Sequence, residues 1–230
     1  MDAKTMKINT INTNPININN FKLSLGEEIG NAITHGIGAA LGIAATVLMI
    51  VAASVNHKGA LAITGVSIFG ASLILLYLAS CLYHSLINTK ARNVFQKLDH
   101  CMIFFLITGT YTPICLSMIG GWVGWTVWGI NAACSVTGIA LNGVSIKKFN
   151  KISQILYIIM GWSIVVAAYS AIKAIPLPGL LLILLGGVIY TIGTIFYRKK
   201  GVKNMHFIWH IFVLLGSIPH FAMIYYYICL

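Results

Sequence analysis

Long apolar blocks follow one another along this chain, separated by short polar or glycine-rich breaks. They fall at about residues 30–55, 60–87, 95–118, 122–145, 152–172, 179–197 and 204–229. A helix crossing a bilayer needs roughly 20 apolar residues, and each block meets that length. The breaks are Asn56-His57-Lys58-Gly59, the polar run Asn88–Lys97, Gly120-Gly121, Ile146–Lys151, the turn Lys173–Pro178 and Arg198–Lys203. Strict alternation is missing and the blocks are too long for barrel strands. The pattern therefore predicts an all-α bundle of seven transmembrane helices. Gly120-Gly121 is the tightest break; were it a bend, the third and fourth blocks would merge and the count would be six. Residues 1–28 read as a polar, Asn-rich tail and residues 29–230 as a single membrane domain. Within the tail, Phe21, Leu23 and Leu25 form a short amphipathic piece suited to lying on a membrane surface.

Composition removes the alternatives. Of 230 residues, 58% are hydrophobic and 8% are charged, whereas soluble domains carry about 25% charged residues. Neither one water-soluble domain nor a disordered chain has this make-up. The net charge of +11 raises nucleic-acid binding as a question, and the placement of the charges answers it. Lys4, Lys7 and Lys22 precede the first block; Lys90, Arg92 and Lys97 lie between the second and third. Lys147, Lys148 and Lys151 follow the fourth, and Arg198, Lys199, Lys200 and Lys203 follow the sixth. The intervening connections hold only Lys58 and Lys173. Alternate connections thus divide the basic residues 13 against 2. Basic residues gather on the cytoplasmic side of membrane proteins, so this division predicts a cytoplasmic N-terminus and an external C-terminus. The basic excess reads as a topology signal, with membrane lipid as the surrounding partner and no nucleic acid.

Ionisable groups inside spans are costly and face a protein interior or cavity. Here they are Glu28 and His35 opening span one, His84 ending span two, Asp99 and His100 opening span three, and His206, His210 and His220 in span seven. All but His220 are expected at the cytoplasmic side. His206 and His210, four residues apart, share a helix face with about 6 Å of rise between them. His84 arrives at the same depth from another helix, and three imidazoles make a metal site with an open position. Asp99 is placed to accept a hydrogen bond from a metal's water or a ligand ring. Ser80 lies one turn before His84 on the same face. The plainer alternative is histidines hydrogen-bonded across helices near the interface. Glu28, Asn31 and His35 share one face of span one and read either as a second polar layer around the metal or as an interfacial network. His100 points about 100° away from Asp99 on a helix, so the two are not expected to face the centre together. His220, about 15 Å of rise beyond His210, belongs elsewhere, and His57 reads as a solvated loop residue.

The five cysteines, Cys81, Cys101, Cys115, Cys134 and Cys229, show no ligand spacing and read as small buried hydrophobes. Pro113 and Pro219 are expected to kink spans three and seven. Gly38 and Gly42 offer a site of close helix approach, and nothing in the pattern sets an oligomeric state.

The segments EEIGNAITHGIG (27–38), SCLYH (80–84), LDHCMIFFLITGTYTP (98–113) and HFIWHIFVLLGSIPHF (206–221) resemble the bacterial haemolysin III family, within the progestin and adiponectin receptor (PAQR) family of seven-span proteins. The resemblance covers the membrane region and leaves out the tail. It implies a zinc ion held by His84, His206 and His210, with Ser80 as companion of His84 and Asp99 positioning the ion's water. It also implies a cytoplasmic N-terminus and residence in the plasma membrane. Some relatives look like ceramidases, which implies a zinc-dependent hydrolase of lipid amides. In that reading Asp99 is the general base, Ser80 supports the oxyanion, and the physiological setting is membrane homeostasis. Two other functions stay open: a noncatalytic receptor-like sensor with structural zinc, and a cytolysis-associated transporter or pore.

Overall fold

The computed structural model describes residues 23–199 and 201–230. Every regular element among them is helical: α1 (Leu25–Val55), α2 (Ala60–Ser85), α3 (Arg92–Pro113), α4 (Gly121–Gly161), α5 (Ala168–Ala174), α6 (Leu177–Arg198) and α7 (Met205–Ile224). Six helical stretches are long and apolar enough to cross a membrane: Leu25–Val55, Ala60–Ser85, Arg92–Ile119, Gly121–Ala174, Leu177–Arg198 and Met205–Cys229. Seven were expected. The difference lies in one place, because the fourth and fifth apolar blocks run together in the 54-residue stretch Gly121–Ala174.

That stretch is not straight. Ser145 inside α4 has extended backbone (φ −160°, ψ 108°), and the chain doubles back around it. Ser153 donates to Asn142 Oδ1 at 2.8 Å, and Asn131 Nδ2 donates to Ser163 Oγ at 2.7 Å. On a straight helix residues 131 and 163 would stand about 48 Å apart. The reversal falls against Lys147, Lys148 and Lys151, at the polar break read from the sequence. A merger of the third and fourth blocks is not what occurs. Gly120 and Gly121 both take positive φ (61° and 55°), a conformation that costs glycine little. Bonds from Lys97 to Gly143, Cys101 to Ile139, Thr108 to Asn131 and Trp128 to Thr112 step in opposite directions along α3 and α4, the signature of a hairpin.

α1 starts earlier than the 28/29 boundary expected from the sequence. Ser24 and Glu27 form a reciprocal capping box, which satisfies otherwise unpaired N–H groups at the helix start. Leu25 therefore belongs to the first turn of a helix rather than to a surface-lying tail, and Phe21 lies outside the described residues. Pro113 and Pro219 sit inside helices that each pass into a π-helical turn, Ile114–Ile119 and Tyr225–Cys229; proline withdraws a donor from the ladder and a wider turn absorbs the mismatch.

The bundle is apolar outward and small or polar inward. On α1, Ile33, Ile37, Leu41, Leu48 and Val51 are exposed, while Asn31, His35, Gly38, Gly42 and Met49 face in. Gly38 is in close contact with α2: a Cβ there would sit 2.7 Å from Tyr77 Cδ1. Lipid solvates the outer face, so helix association draws on close packing and interhelical hydrogen bonds. Tyr77 supplies both, its hydroxyl lying 2.6 Å from Ser217 Oγ of α7. The five cysteines are free.

Candidate metal centre

Elements from both ends of the chain meet at one end of the bundle. Here lie the start of α1, the end of α2, the start of α3, the Ser145 reversal, the end of α6 and the start of α7. Lys90, Arg92, Lys97, Lys147, Lys148, Lys151, Arg198, Lys199 and Lys203 accompany them. Lys58 and Lys173 occupy the opposite end, where Asn56 Nδ2 reaches Cys229 O at 3.2 Å. Among the described residues the charge division read along the sequence is thus a physical division of the bundle; Lys4, Lys7, Lys22 and Lys200 lie outside them.

His84, His206 and His210 come together at this basic end, each offering a ring nitrogen, with the three donor atoms within 4.8 Å of one another. The one-turn spacing on α7 brings His210 Nε2 to 3.1 Å from His206 Nε2, close to the roughly 3.4 Å expected for two nitrogens on a tetrahedral ion with bonds of about 2.1 Å. His84 completes the group from α2, its ring centre 4.8 Å from that of His210 and 5.4 Å from that of His206. His84 Nδ1 lies 2.6 Å from Glu28 Oε2. A carboxylate can only accept, so the proton sits on Nδ1 and Nε2 carries the lone pair. That Nε2 is buried without a hydrogen-bond partner. A buried lone pair left unmatched is expensive, and metal coordination is what this donor set satisfies. Three imidazoles suit zinc and other late first-row metals.

The surrounding residues divide by element. Glu28 is shared between His84 and Arg92 Nη2, and the Arg92 guanidinium lies over the Tyr83 ring at 4.8 Å. Further along α1, His35 lies with its ring centre 3.9 Å from that of His210, tilted by 30°, and meets Tyr77 edge-on at 5.1 Å. Asn31 and Ser80 are fully buried, and the side-chain polar atoms of both lack partners. Asp99 and His100 line a small cavity of about 20 Å³ together with His35, Tyr197, His206 and His210. The expected divergence of Asp99 and His100 therefore does not separate them: Asp99 Oδ2 and His100 Nδ1 are 3.6 Å apart. His100 is tied down on both sides, Nδ1 to Gln96 O at 2.9 Å and Nε2 to Tyr197 OH at 3.4 Å. His220 lies apart, stacked on Tyr190, and His57 is an exposed turn residue.

Two residues of this centre escaped the sequence reading. Arg92 was visible only as one of the topology charges, although it neutralises Glu28. Glu27 caps α1 and, through Oε1, accepts from the backbone N–H of Asn204 at 2.5 Å, which anchors the start of α7 just before His206. The Ser24–Glu27 capping-box spacing was the available signal for the first of these roles; the second spans 177 residues and has no local sign.

Comparisons with known proteins give the family. The family model described as "Haemolysin-III related" matches residues 23–221. Hemolysin-3 of Bacillus cereus is 42% identical over 202 residues, covering 88% of this chain and 92% of that protein. A Hemolysin-3 homolog of Bacillus subtilis is 40% identical over 204 residues, covering 89% and 95%. More distantly, the human monocyte to macrophage differentiation factor is 25% identical over 171 residues, covering 70% and 69%. The histidine centre lies wholly within the matched region, and this multi-pass membrane protein belongs to the haemolysin-III related family.

Proposed function

We propose that this protein is an intramembrane zinc hydrolase of lipid amides, resident in the plasma membrane, where it adjusts bilayer composition. It crosses the bilayer seven times, with the start of α1 at the cytoplasmic face and α1 to α7 forming one membrane domain. Support for the topology comes from the reversal at Ser145, which divides Gly121–Ala174 into two antiparallel legs. The segregated basic residues and the exposed Trp122 and Trp125 at the opposite end support the orientation, since Lys/Arg mark the cytoplasmic face and Trp the interface.

The observation that carries the chemistry is the convergence of His84, His206 and His210 beside a cavity that Asp99 also lines. Zinc bound there supplies Lewis-acid polarisation of a carbonyl and a nucleophile at neutral pH. His84 presents Nε2 because Glu28 holds the proton on Nδ1. Asp99 serves as the base, taking the proton as the amide is attacked and returning it to the leaving amine. Ser80, one turn before His84 and with its hydroxyl unpaired, donates to the carbonyl oxygen as charge develops there. A lipid reaches the centre from the bilayer between the apolar helices. A second reading has a specific observation in its favour: the triad joins α2 to α7, so an ion there would also brace the bundle, as a noncatalytic sensor requires.

The test combines metal content with turnover. Wild type purified without chelators carries about one zinc, and His84→Ala and His210→Ala lose it. Asp99→Asn retains zinc but releases no fatty acid from lipid amides that the wild type cleaves. Metal-free wild type overturns the reading. Zinc with no turnover, together with lowered thermal stability in the histidine variants, supports the sensor.

A further inference from the structure

A second, larger cavity of about 100 Å³ lies deeper in the bundle, among α2, α3, α4, α6 and α7. It shares Leu76, Ile103, Trp209 and Val213 with the small cavity beside Asp99, so the two meet at those residues. Its wall is mostly apolar, and its hydroxyls are engaged within the protein. Tyr111 donates to Gly161 O, Tyr157 to His100 O, Thr110 to Leu106 O and Thr194 to Thr191 O. Tyr190 OH is paired with Ser217 Oγ at 2.8 Å.

His220 is the exception. Its Nδ1 lies 2.8 Å from Gly216 O; a carbonyl only accepts, so Nδ1 carries the proton and Nε2 has the lone pair. Among the described residues the ring's hydrogen bond is the one made by Nδ1, and the ring lines the chamber. Tyr190 stacks on the ring at 5.5 Å and Gly186 closes against it, leaving no room for a Cβ, so the ring cannot turn freely to find another partner. A lone, oriented acceptor in an apolar chamber within a membrane protein is costly unless a ligand donor meets it.

We propose that this chamber receives a lipid chain bearing a hydroxyl group part-way along its length, with His220 Nε2 accepting the hydroxyl hydrogen. His220 lies ten residues beyond His210, about 15 Å along α7, so the hydroxyl sits well down the chain from a head group at the histidine triad. The placement of the head rests on the lipid-hydrolase reading; the recognition of the hydroxyl does not.

Displacement of spin-labelled stearate from purified protein in nanodiscs tests this, with stearate and a mid-chain hydroxystearate as competitors. Wild type is expected to prefer the hydroxy acid by about tenfold, the equivalent of one buried neutral hydrogen bond. His220→Phe loses the preference, the two acids then competing equally. His220→Gln, which keeps an acceptor near the Nε2 position, retains part of it. Equal affinities in wild type overturn the proposal, as does an undiminished preference in His220→Phe. A preference that persists in a protein without lipid-amide turnover supports the chamber's role while removing the hydrolase reading.

Discussion

Glu28 Oε2 lies 2.6 Å from His84 Nδ1 across the α1–α2 interface, while the other oxygen of the same carboxylate holds Arg92. One side chain thereby sets the tautomer of His84 and ties three helices together. Carboxylates behind metal-bound histidines typically contribute 10- to 100-fold to metal affinity. Glu28→Gln should weaken zinc binding by that factor in a chelator-competition titration while leaving the stoichiometry at one. Unchanged affinity would show that His84 needs no help in presenting Nε2.

Close approach at Gly38 makes a contrast pair. A methyl group there meets the Tyr77 ring, and overpacking of this kind costs about 1–3 kcal/mol. Gly129 has open space around it. Gly38→Ala should lower the thermal midpoint by several degrees, whereas Gly129→Ala should hold or raise it, because alanine favours the helix by about 1 kcal/mol. Equal midpoints would mean that α1 and α2 can separate at no cost.

Tyr77→Phe removes one hydroxyl from the Tyr77–Ser217–Tyr190 relay joining α2, α7 and α6. Ser217 keeps its bonds to Tyr190 and to Val213 O, so the loss should be modest, about 1 kcal/mol. Zinc content should not change. A variant with normal stability and lost zinc would place Tyr77 within the metal centre instead.

The proposed seven crossings would put the Ser145 reversal and the Gly120-Gly121 turn on opposite faces. In a cysteine-free background, Lys147→Cys should react with an impermeant maleimide only after the cytoplasmic face is opened. Trp122→Cys should react in intact cells. Labelling of both from one side would overturn the topology.

Much of this architecture is legible in hydropathy because lipid demands long apolar runs and closed backbone hydrogen bonding. The breaks at Gly120-Gly121 and Ile146–Lys151 were visible for the same reason. What hydropathy does not supply is azimuth. α2 is apolar nearly all round, so nothing along its sequence says that Tyr77 turns toward Ser217; Ser80 could be placed only through its one-turn spacing from His84. The histidine triad was readable because helical spacing and charge-derived depth both pointed to it. Glu27 and Arg92 were not, since each acts through a partner brought close only by tertiary folding.

The hydrogen bond from Asn204 to Glu27 joins residues 177 positions apart, and His206 follows it directly. Two of the three imidazoles are therefore synthesised long after the carboxylate that receives the start of their helix. The histidine triad cannot assemble until α7 is inserted and docked. A chain in which α7 is missing or misinserted holds a single histidine of the set, so an ion held by the triad would report that α1, α2 and α7 have come together.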